Sequence, residues 1–212
     1  MNEEASSDDL RGGPVRRAVL RHPWGFGIAI GLLFFPMMRC LTHEPPEPLP
    51  DLGPPPDFVL HDSSGAEVTR DSLRGQVWIA HPYTTPCEGP CVATVSAAGE
   101  LRERFAAQGL SVSILGWPVG SVSPGERRIL IERHGAQGGL WHLLLAENDA
   151  APLGALQGVP LGEPSLTQLV VVSADSKIRA RLGIGSLGVD EAVSLAVRLV
   201  SEAALQGSQP SR

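Results

Sequence analysis

The chain has 212 residues and a formal net charge of −6, with 17 lysines and arginines against 23 aspartates and glutamates. Because 42% of its residues are hydrophobic, it can fill a core, which excludes a wholly disordered protein. The acidic balance, with Lys177 as the only lysine, provides no basic surface for nucleic acid. Three cysteines are too few for a disulfide scaffold. The length of the chain predicts one folded domain with appendages.

The N-terminal part predicts a single membrane anchor. Residues 22–38, HPWGFGIAIGLLFFPMM, carry no formal charge, and 17 residues is the short end of the range of about 17–25 that spans a bilayer. Residues 1–21 contain four arginines, so the positive-inside rule keeps this segment in the cytoplasm. We expect a transmembrane anchor at 22–41 of the inner (cytoplasmic) membrane, with the rest of the chain exported to the periplasm or an equivalent space.

A cleaved signal peptide is the alternative to this anchor. No pattern of small residues that would suit a signal peptidase follows the apolar run. Lipid attachment at Cys40 is disfavoured because Met38 and Arg39 precede it instead of small residues. The uncleaved anchor is therefore the preferred prediction.

Residues 42–56 contain seven prolines and predict an extended, semi-rigid tether. The folded domain is expected at 57–206, and residues 207–212 form a tail.

Strand and helix patterns alternate along the predicted domain. Strands are expected at 57–62, in a second short segment after the turn that follows, and at 76–81, 110–117, 139–146, 167–173 and 177–182. Helices are expected from Cys91 to Gly109 and at 123–135, 149–156 and 189–205. Ser123, Pro124 and Glu126 form the pattern of a capping box. This alternation predicts an α/β domain with a central sheet flanked by helices.

Cys87 and Cys91 are separated by three residues, just after a predicted buried strand and at the predicted start of a helix. The exposed N–H groups and the dipole at a helix N-terminus favour a thiolate, which makes a better nucleophile. Two thiols one helical turn apart can close a disulfide or bind a soft ion such as Cu(I). A purely structural disulfide is the alternative. Four-ligand zinc binding is disfavoured because no second close Cys or His pair is present.

Over about residues 55–205 the sequence resembles the Sco/SenC family of thioredoxin-fold proteins. The resemblance rests on PDFVLHDSSGAEVTRDSLRGQVWIAHPYTTPCEGPC, GLWHLLLAENDAAPLGALQGV and LVVVSADSKIRARLG. It implies a thioredoxin-like fold with a central mixed sheet. It also implies a copper chaperone that helps to assemble the Cu-A centre of cytochrome c oxidase, binding copper with two thiolates and a distant histidine. Some members are described better as thiol-disulfide reductases that prepare the copper site of a partner protein.

The sequence departs from the family at the distant histidine. Counting back from the hairpin turn places that position at Ser165, and neither neighbour, Pro164 or Leu166, is a histidine. Of the six histidines, only His81 and His142 are considered as substitutes, and for both the alternative is a half-buried side chain without a ligand role.

Three hypotheses follow. Cys87 and Cys91 act as a thiol-disulfide exchange pair on a protein partner, which the family association suggests is a cytochrome c oxidase subunit. Alternatively, they carry Cu(I), with His81 as the further ligand, or they form a stabilising disulfide only. Arg102, Arg104, Arg127 and Arg128 are expected on solvated helix faces.

Overall fold

The computed structural model describes residues 48–136, 140–145, 153–159 and 164–207, together with five residues between 28 and 38. The chain divides into two compact units, Met1–Pro48 and Leu49–Arg212. In the first unit, Ile28, Leu32, Phe34, Phe35 and Met38 are helical and exposed. Within the described residues, no helix is both long and apolar enough to cross a membrane. Most of the predicted anchor at 22–41 lies outside the described residues, so the anchor stays a prediction.

The second unit alternates strands and helices. Its strands are β1 (Val59–His61), β2 (Glu67–Thr69), β3 (Trp78–Tyr83), β4 (Ser113–Pro118), β5 (Trp141–Leu143), β6 (Gln168–Val172) and β7 (Ile178–Gly183). Its α-helices are α1 (Pro90–Ala107), α2 (Pro124–His134), α3 (Leu153–Gln157) and α4 (Ser186–Gly207), and a short 3-10 helix covers Asp71–Leu73.

A five-stranded mixed sheet forms the centre of this unit, in the order β5-β4-β3-β6-β7. Strand β3 pairs in parallel with β4, and β4 pairs in parallel with β5. Strands β6 and β7 form an antiparallel hairpin that pairs with the other side of β3. Strands β1 and β2 form a separate antiparallel pair. The predicted α/β class, with a mixed sheet flanked by helices, is confirmed.

Alternation along β3 divides its side chains between two cores. Ile79 and Tyr83 point into a cluster that includes buried residues of α1, α2 and α4. Trp78 and Ala80 point into a second cluster, formed with residues of β1 and α3. All six residues of β3 are buried, as expected for a central strand that is covered on both faces.

Two predicted helix starts differ in detail from the structure. Helix α2 follows Ser123 as predicted, but the Ser123 side chain makes no capping hydrogen bond. The backbone N–H of Ser123 donates to Oγ1 of Thr85, at 3.1 Å, so this residue faces the cysteine loop. Helix α4 begins at Ser186, three residues before the predicted start.

The second half of the predicted tether contacts the domain. The N–H of Leu52 donates to the carbonyl of Ile178 at 3.0 Å, and the N–H of Ile178 donates to the carbonyl of Gly53 at 2.9 Å. Asp51 forms an ion pair with Lys177. We call residues 49–56 the strap, because they are held against the start of the edge strand β7.

Candidate functional site: a disulfide beside a surface cleft

Cys87 and Cys91 lie at the carboxyl edge of the parallel strands. Strand β3 ends at Tyr83, and α1 begins at Pro90, so the loop between them carries Cys87 and the first helical turn carries Cys91. Gly89 is the residue before the helix and has a φ of 52°, a left-handed conformation that favours glycine. This turn brings the two cysteines together as a disulfide, with a Cα–Cα distance of 5.2 Å.

The two sulfur-bearing residues differ in exposure. Cys91 is fully buried and belongs to the core cluster beside α1, whereas Cys87 is partly exposed. The N–H of Thr84 lies 3.5 Å from Sγ of Cys91, so the backbone of the cysteine loop contacts the inner sulfur. An incoming reactant therefore reaches Cys87 first. This asymmetry suits a pair in which one sulfur exchanges with a partner and the other closes the disulfide.

His81 lies on β3, two residues before its end, and is fully buried. Its Nε2 accepts a hydrogen bond from Nε1 of Trp141 at 3.0 Å, and its Nδ1 lies 3.2 Å from the carbonyl of Pro82. Burial lowers the pKa of His81 from 6.5 to about 4. The imidazole is therefore neutral at physiological pH, and as a copper ligand it would have to give up one of these two contacts.

His142 lies on the neighbouring strand β5, but on the other face of the sheet. Its neighbours Trp141 and Leu143 point into the cluster that contains Cys91, so the alternation of a strand directs His142 away from the cysteines. Nδ1 of His142 lies 3.9 Å from a carboxylate oxygen of Asp62. The structure therefore does not bring His142 to the disulfide.

The segment before β6 is held by two side chains that the sequence did not reveal. Buried Gln157 donates from Nε2 to the carbonyl of Ser165 at 2.8 Å and accepts from its N–H at 2.7 Å. Thr94 donates to the carbonyl of Leu166 at 2.5 Å. Because Thr94 follows Cys91 by three residues on α1, this segment lies beside the turn that carries the cysteines. Isolated polar residues such as these give no sequence pattern.

Copper, as a cargo, needs donors of the right chemistry. After reduction, the two cysteine thiolates would suit Cu(I), a soft ion that two sulfurs can hold. In the part of the chain that the structure describes, no three His, Cys, Asp or Glu side chains are grouped to hold a metal ion. Among the described residues, the third ligand that the family resemblance implies is therefore not grouped with this disulfide.

A surface cleft of about 320 Å³ opens beside Cys87. One wall is the cysteine loop, with Thr85, Pro86, Cys87 and Glu88, and the other is α2, with Glu126, Ile129, Leu130 and Arg133. The sequence did not indicate this cleft, because its walls come from segments about 40 residues apart that the parallel pairing of β3 and β4 brings together.

Comparison with known proteins supports the predicted resemblance to Sco proteins. No family model matches the chain. The SCO1 protein homolog of Bacillus subtilis is 28% identical over 93 residues, which cover 44% of this chain and 47% of that protein, so the match spans about half of the relative. The resemblance to the Sco family is confirmed.

Solved structures of the Sco family share the fold. BsSco, a member of the Sco family of cytochrome c oxidase assembly proteins, superposes with a TM-score of 0.62 at 17% identity, covering 73% of this chain and 99% of BsSco. Yeast Sco1 gives a TM-score of 0.57 at 14% identity, covering 76% and 99% of the two chains. The thioredoxin domain of a thiol-disulfide oxidoreductase from Bacteroides vulgatus gives 0.52 at 16% identity, covering 72% and 99%. The Sco-like domain therefore has a thioredoxin-like fold.

Proposed function

We propose that this chain is an exported Sco-like protein that exchanges disulfides with a partner protein through Cys87 and Cys91. The observation that carries the proposal is the unequal exposure of the two cysteines: Cys87 borders an open cleft, whereas Cys91 is fully buried behind it. A disulfide that only stabilised the fold would gain nothing from an open approach to one sulfur.

The exchange runs through one mixed disulfide. In the reduced protein, the Cys87 thiolate attacks one sulfur of a partner disulfide, and the second partner sulfur leaves as a thiolate that takes a proton from water. The Cys91 thiolate then attacks Sγ of Cys87 and releases the first partner sulfur. The partner gains two electrons as two thiols, and the chain is oxidised to the disulfide.

Trapping the mixed disulfide tests this assignment. In the reduced full-length chain with Cys40 also replaced (Cys40→Ser), Cys91→Ser should react with a peptide disulfide and stop at a covalent adduct on Cys87, because no second thiol resolves it. Mass spectrometry of the unreduced protein locates the adduct.

Cys87→Ser is the matched control. In the same Cys40→Ser background its remaining thiol, Cys91, is buried, so we expect adduct formation at that residue to be at least about tenfold slower, in keeping with the dependence of exchange on access. Equal rates at the two cysteines would contradict the assignment of Cys87 as the attacking residue.

The biological setting proposed for this reaction is copper-site assembly in cytochrome c oxidase. The support comes from the likeness to BsSco, which is described as belonging to a family of cytochrome c oxidase assembly proteins. The partner would be an oxidase subunit whose copper-binding cysteines must be reduced before metal enters. The uncharged sequence at 22–38 and the four arginines before it support a single-span anchor that holds the domain in the exported space.

Carriage of Cu(I) is the second candidate, because reduction of the disulfide, whose Cα atoms are 5.2 Å apart, would leave two neighbouring thiolates, one of them bordering the cleft. An anaerobic Cu(I) titration of the reduced chain, with Cys87→Ser and His81→Ala beside it, separates this function from exchange alone. A carrier binds one equivalent that Cys87→Ser abolishes, and weaker binding by His81→Ala would identify the further ligand. Binding no tighter than a weak competing chelator would exclude carriage.

A further inference from the structure

The cleft beside Cys87 has charged ends of opposite sign. Glu126 lies in the first turn of α2, three residues after Ser123, whose N–H is hydrogen-bonded to Thr85 of the cysteine loop. Glu88 follows Cys87 directly and lines the other wall of the cleft. Arg133 lies on the same helix seven residues after Glu126, about 10 Å further along at 1.5 Å per residue. Ile129 and Leu130 lie between them. Along α2 the cleft is therefore acidic, then apolar, then basic.

Within the described part of the domain, these three charges have no ion-pair partner. Among the described residues, Glu88, Glu126 and Arg133 are exposed and take part in none of the ion pairs. Other glutamates are paired: Glu132, on the same helix, lies 3.9 Å from Arg128, and Glu100 lies 2.6 Å from Arg104. The side chains that line the cleft are thus available to a ligand.

The middle of the cleft is apolar. Ile129 is 54% exposed although it is a large hydrophobic side chain, and it lies beside buried Leu130 and exposed Pro86. A single exposed apolar side chain is ordinary on a protein surface. Here it lies inside a concave site, next to the sulfur that a partner must reach.

From this arrangement we propose that the cleft binds the segment of the partner protein that carries the target cysteine. The occupant is an extended peptide with a basic side chain next to its cysteine, an apolar side chain beyond it and an acidic side chain about three residues from the basic one. In the extended polyproline II conformation three residues make one turn and span about 9 Å, so the basic and acidic side chains lie on the same side of the peptide, about as far apart as Glu126 and Arg133 along α2.

The proposal rests on the exchange function given above and adds a selectivity to it. The basic side chain would meet Glu88 and Glu126, and the acidic one would meet Arg133. A positive charge beside the partner cysteine also stabilises its thiolate, so the same charge that binds in the cleft improves the leaving group. Selection of peptides by the order of their charges acts mainly on the association rate, and salt weakens it.

Two peptides of identical composition test the proposal. One has the order cysteine–arginine–alanine–leucine–glutamate, and the other exchanges the arginine with the glutamate, so that net charge and apolar content are the same. A second pair has the charged residues before the cysteine, because the cleft does not fix the direction of the peptide chain. Each is supplied as a mixed disulfide with glutathione, and the rate of its reduction by the reduced full-length chain is measured.

In at least one of the two pairs, the peptide with arginine next to cysteine should react about fivefold faster at low salt, the size of one good exposed ion pair. The ratio of the two reduction rates should fall towards one in the double variant Glu88→Gln/Glu126→Gln. It should also fall towards one for the wild type in 0.5 M salt, where the screening length is only about 4 Å. Glu103→Gln is the matched control, since Glu103 is an exposed glutamate of α1 that does not line the cleft. It should keep the wild-type ratio.

A ratio of one in both pairs, with measurable reduction, would overturn the cleft proposal and leave the exchange function standing. Binding of serine-containing versions of the peptides to the oxidised chain, followed by fluorescence anisotropy, provides a readout that needs no reaction. If no disulfide is reduced but the arginine-first peptide binds more tightly in a manner that requires Glu88 and Glu126, the exchange function fails and the binding site stands. If binding also shows no dependence on charge order, the cleft proposal is wrong.

Discussion

The buried imidazole of His81 combines a position near the cysteine loop with contacts that keep it neutral. Nε1–H of Trp141 donates to Nε2, which leaves the remaining ring proton on Nδ1, next to the carbonyl of Pro82. Rotation of the ring toward a metal would break a buried hydrogen bond and leave the indole N–H without its acceptor. His81 therefore acts first as a packing residue, and its proposed ligand role carries this cost.

The same contacts predict a pH dependence of stability. The pKa of His81 is about 4 in the folded chain and 6.5 ordinarily, so the unfolded chain binds the proton more readily. The contribution of His81 to the free energy of unfolding is fully present above pH 6.5. It is lost as the pH falls from 6.5 towards 4, by at most about 3 kcal/mol. Denaturant unfolding at pH 7 and at pH 4.5 measures the loss.

His81→Gln is the variant for this measurement, because its side-chain oxygen still accepts from Trp141. Since Gln does not titrate, the free energy of unfolding should fall less with acid than in the wild type. His142→Gln, at a partly exposed residue, is the control. If His81→Gln loses as much stability as the wild type over this range, the assignment of a depressed pKa to His81 is wrong.

A single substitution at Ser165 is expected to change how the reduced protein binds copper. Its side chain is exposed, and the adjacent Leu166 carbonyl is bound to Thr94, one turn after Cys91 on α1. Ser165→His would return an imidazole to the position that the family resemblance implies. We expect the variant to gain Cu(II) binding, seen as a thiolate-to-copper absorption band, because two thiolates alone hold Cu(II) poorly.

Ser194→His, on an exposed position of α4, is the matched control and should gain no such band. If Ser165→His behaves like this control, the segment before β6 does not bring position 165 within reach of the cysteines.

At the level of the elements, the segment before β6 depends on Gln157. Removal of its amide in Gln157→Ala takes away both partners of the Ser165 backbone. We expect the protection of the Ser165 amide against hydrogen exchange to fall about fivefold, which corresponds to the roughly 1 kcal/mol of a typical net hydrogen bond. Gln108→Ala, at the exposed end of α1, should leave it unchanged. Equal protection in both variants would show that the segment is held by other contacts.

The elements themselves could be predicted where a local pattern is decisive. Strands β3 and β4 are continuous apolar runs, and the cysteine pair stands out by spacing and by its place before a helix. The capping box at Ser123 could not be settled in this way, because the Ser123 backbone N–H, which the Glu126 side chain would accept in a capping box, donates to distant Thr85. The burial of Arg127, expected on a solvated face, depends on its hydrogen bond with the carbonyl of Leu143, which no local pattern shows.

For the whole molecule, the strap extends the folded unit beyond the predicted domain start at residue 57. Residues 49–56 contribute two backbone hydrogen bonds to Ile178 and the ion pair from Asp51 to Lys177, and Pro55 is buried. A chain that begins at residue 57 should be less stable by about 2 kcal/mol than one that begins at residue 49, from lost hydrogen bonds and apolar burial. Denaturant unfolding of both fragments compares them directly, and equal stability would show that the strap is only a tether.

The strand order and the cleft were beyond prediction from the sequence, for a common reason. Strand β3 lies between β4 and β6, so its partners are separated in the sequence by a helix in one case and by most of the domain in the other. The walls of the cleft are residues 85–88 and 126–133, which meet only once that pairing exists. Local patterns do not contain these distances, whereas the chemistry of Cys87 and Cys91 is visible in eleven consecutive residues, His81 to Cys91.

The reduction potential of the Cys87–Cys91 disulfide tests the central claim most directly. It is measured by equilibrating the full-length chain with thiol-disulfide buffers of known potential and quantifying the free cysteines. An exchange pair open at Cys87 should have a potential above about −300 mV, and reduction should leave the domain folded. A potential below about −300 mV, together with a large loss of stability on reduction, would identify a structural disulfide and contradict the proposed function.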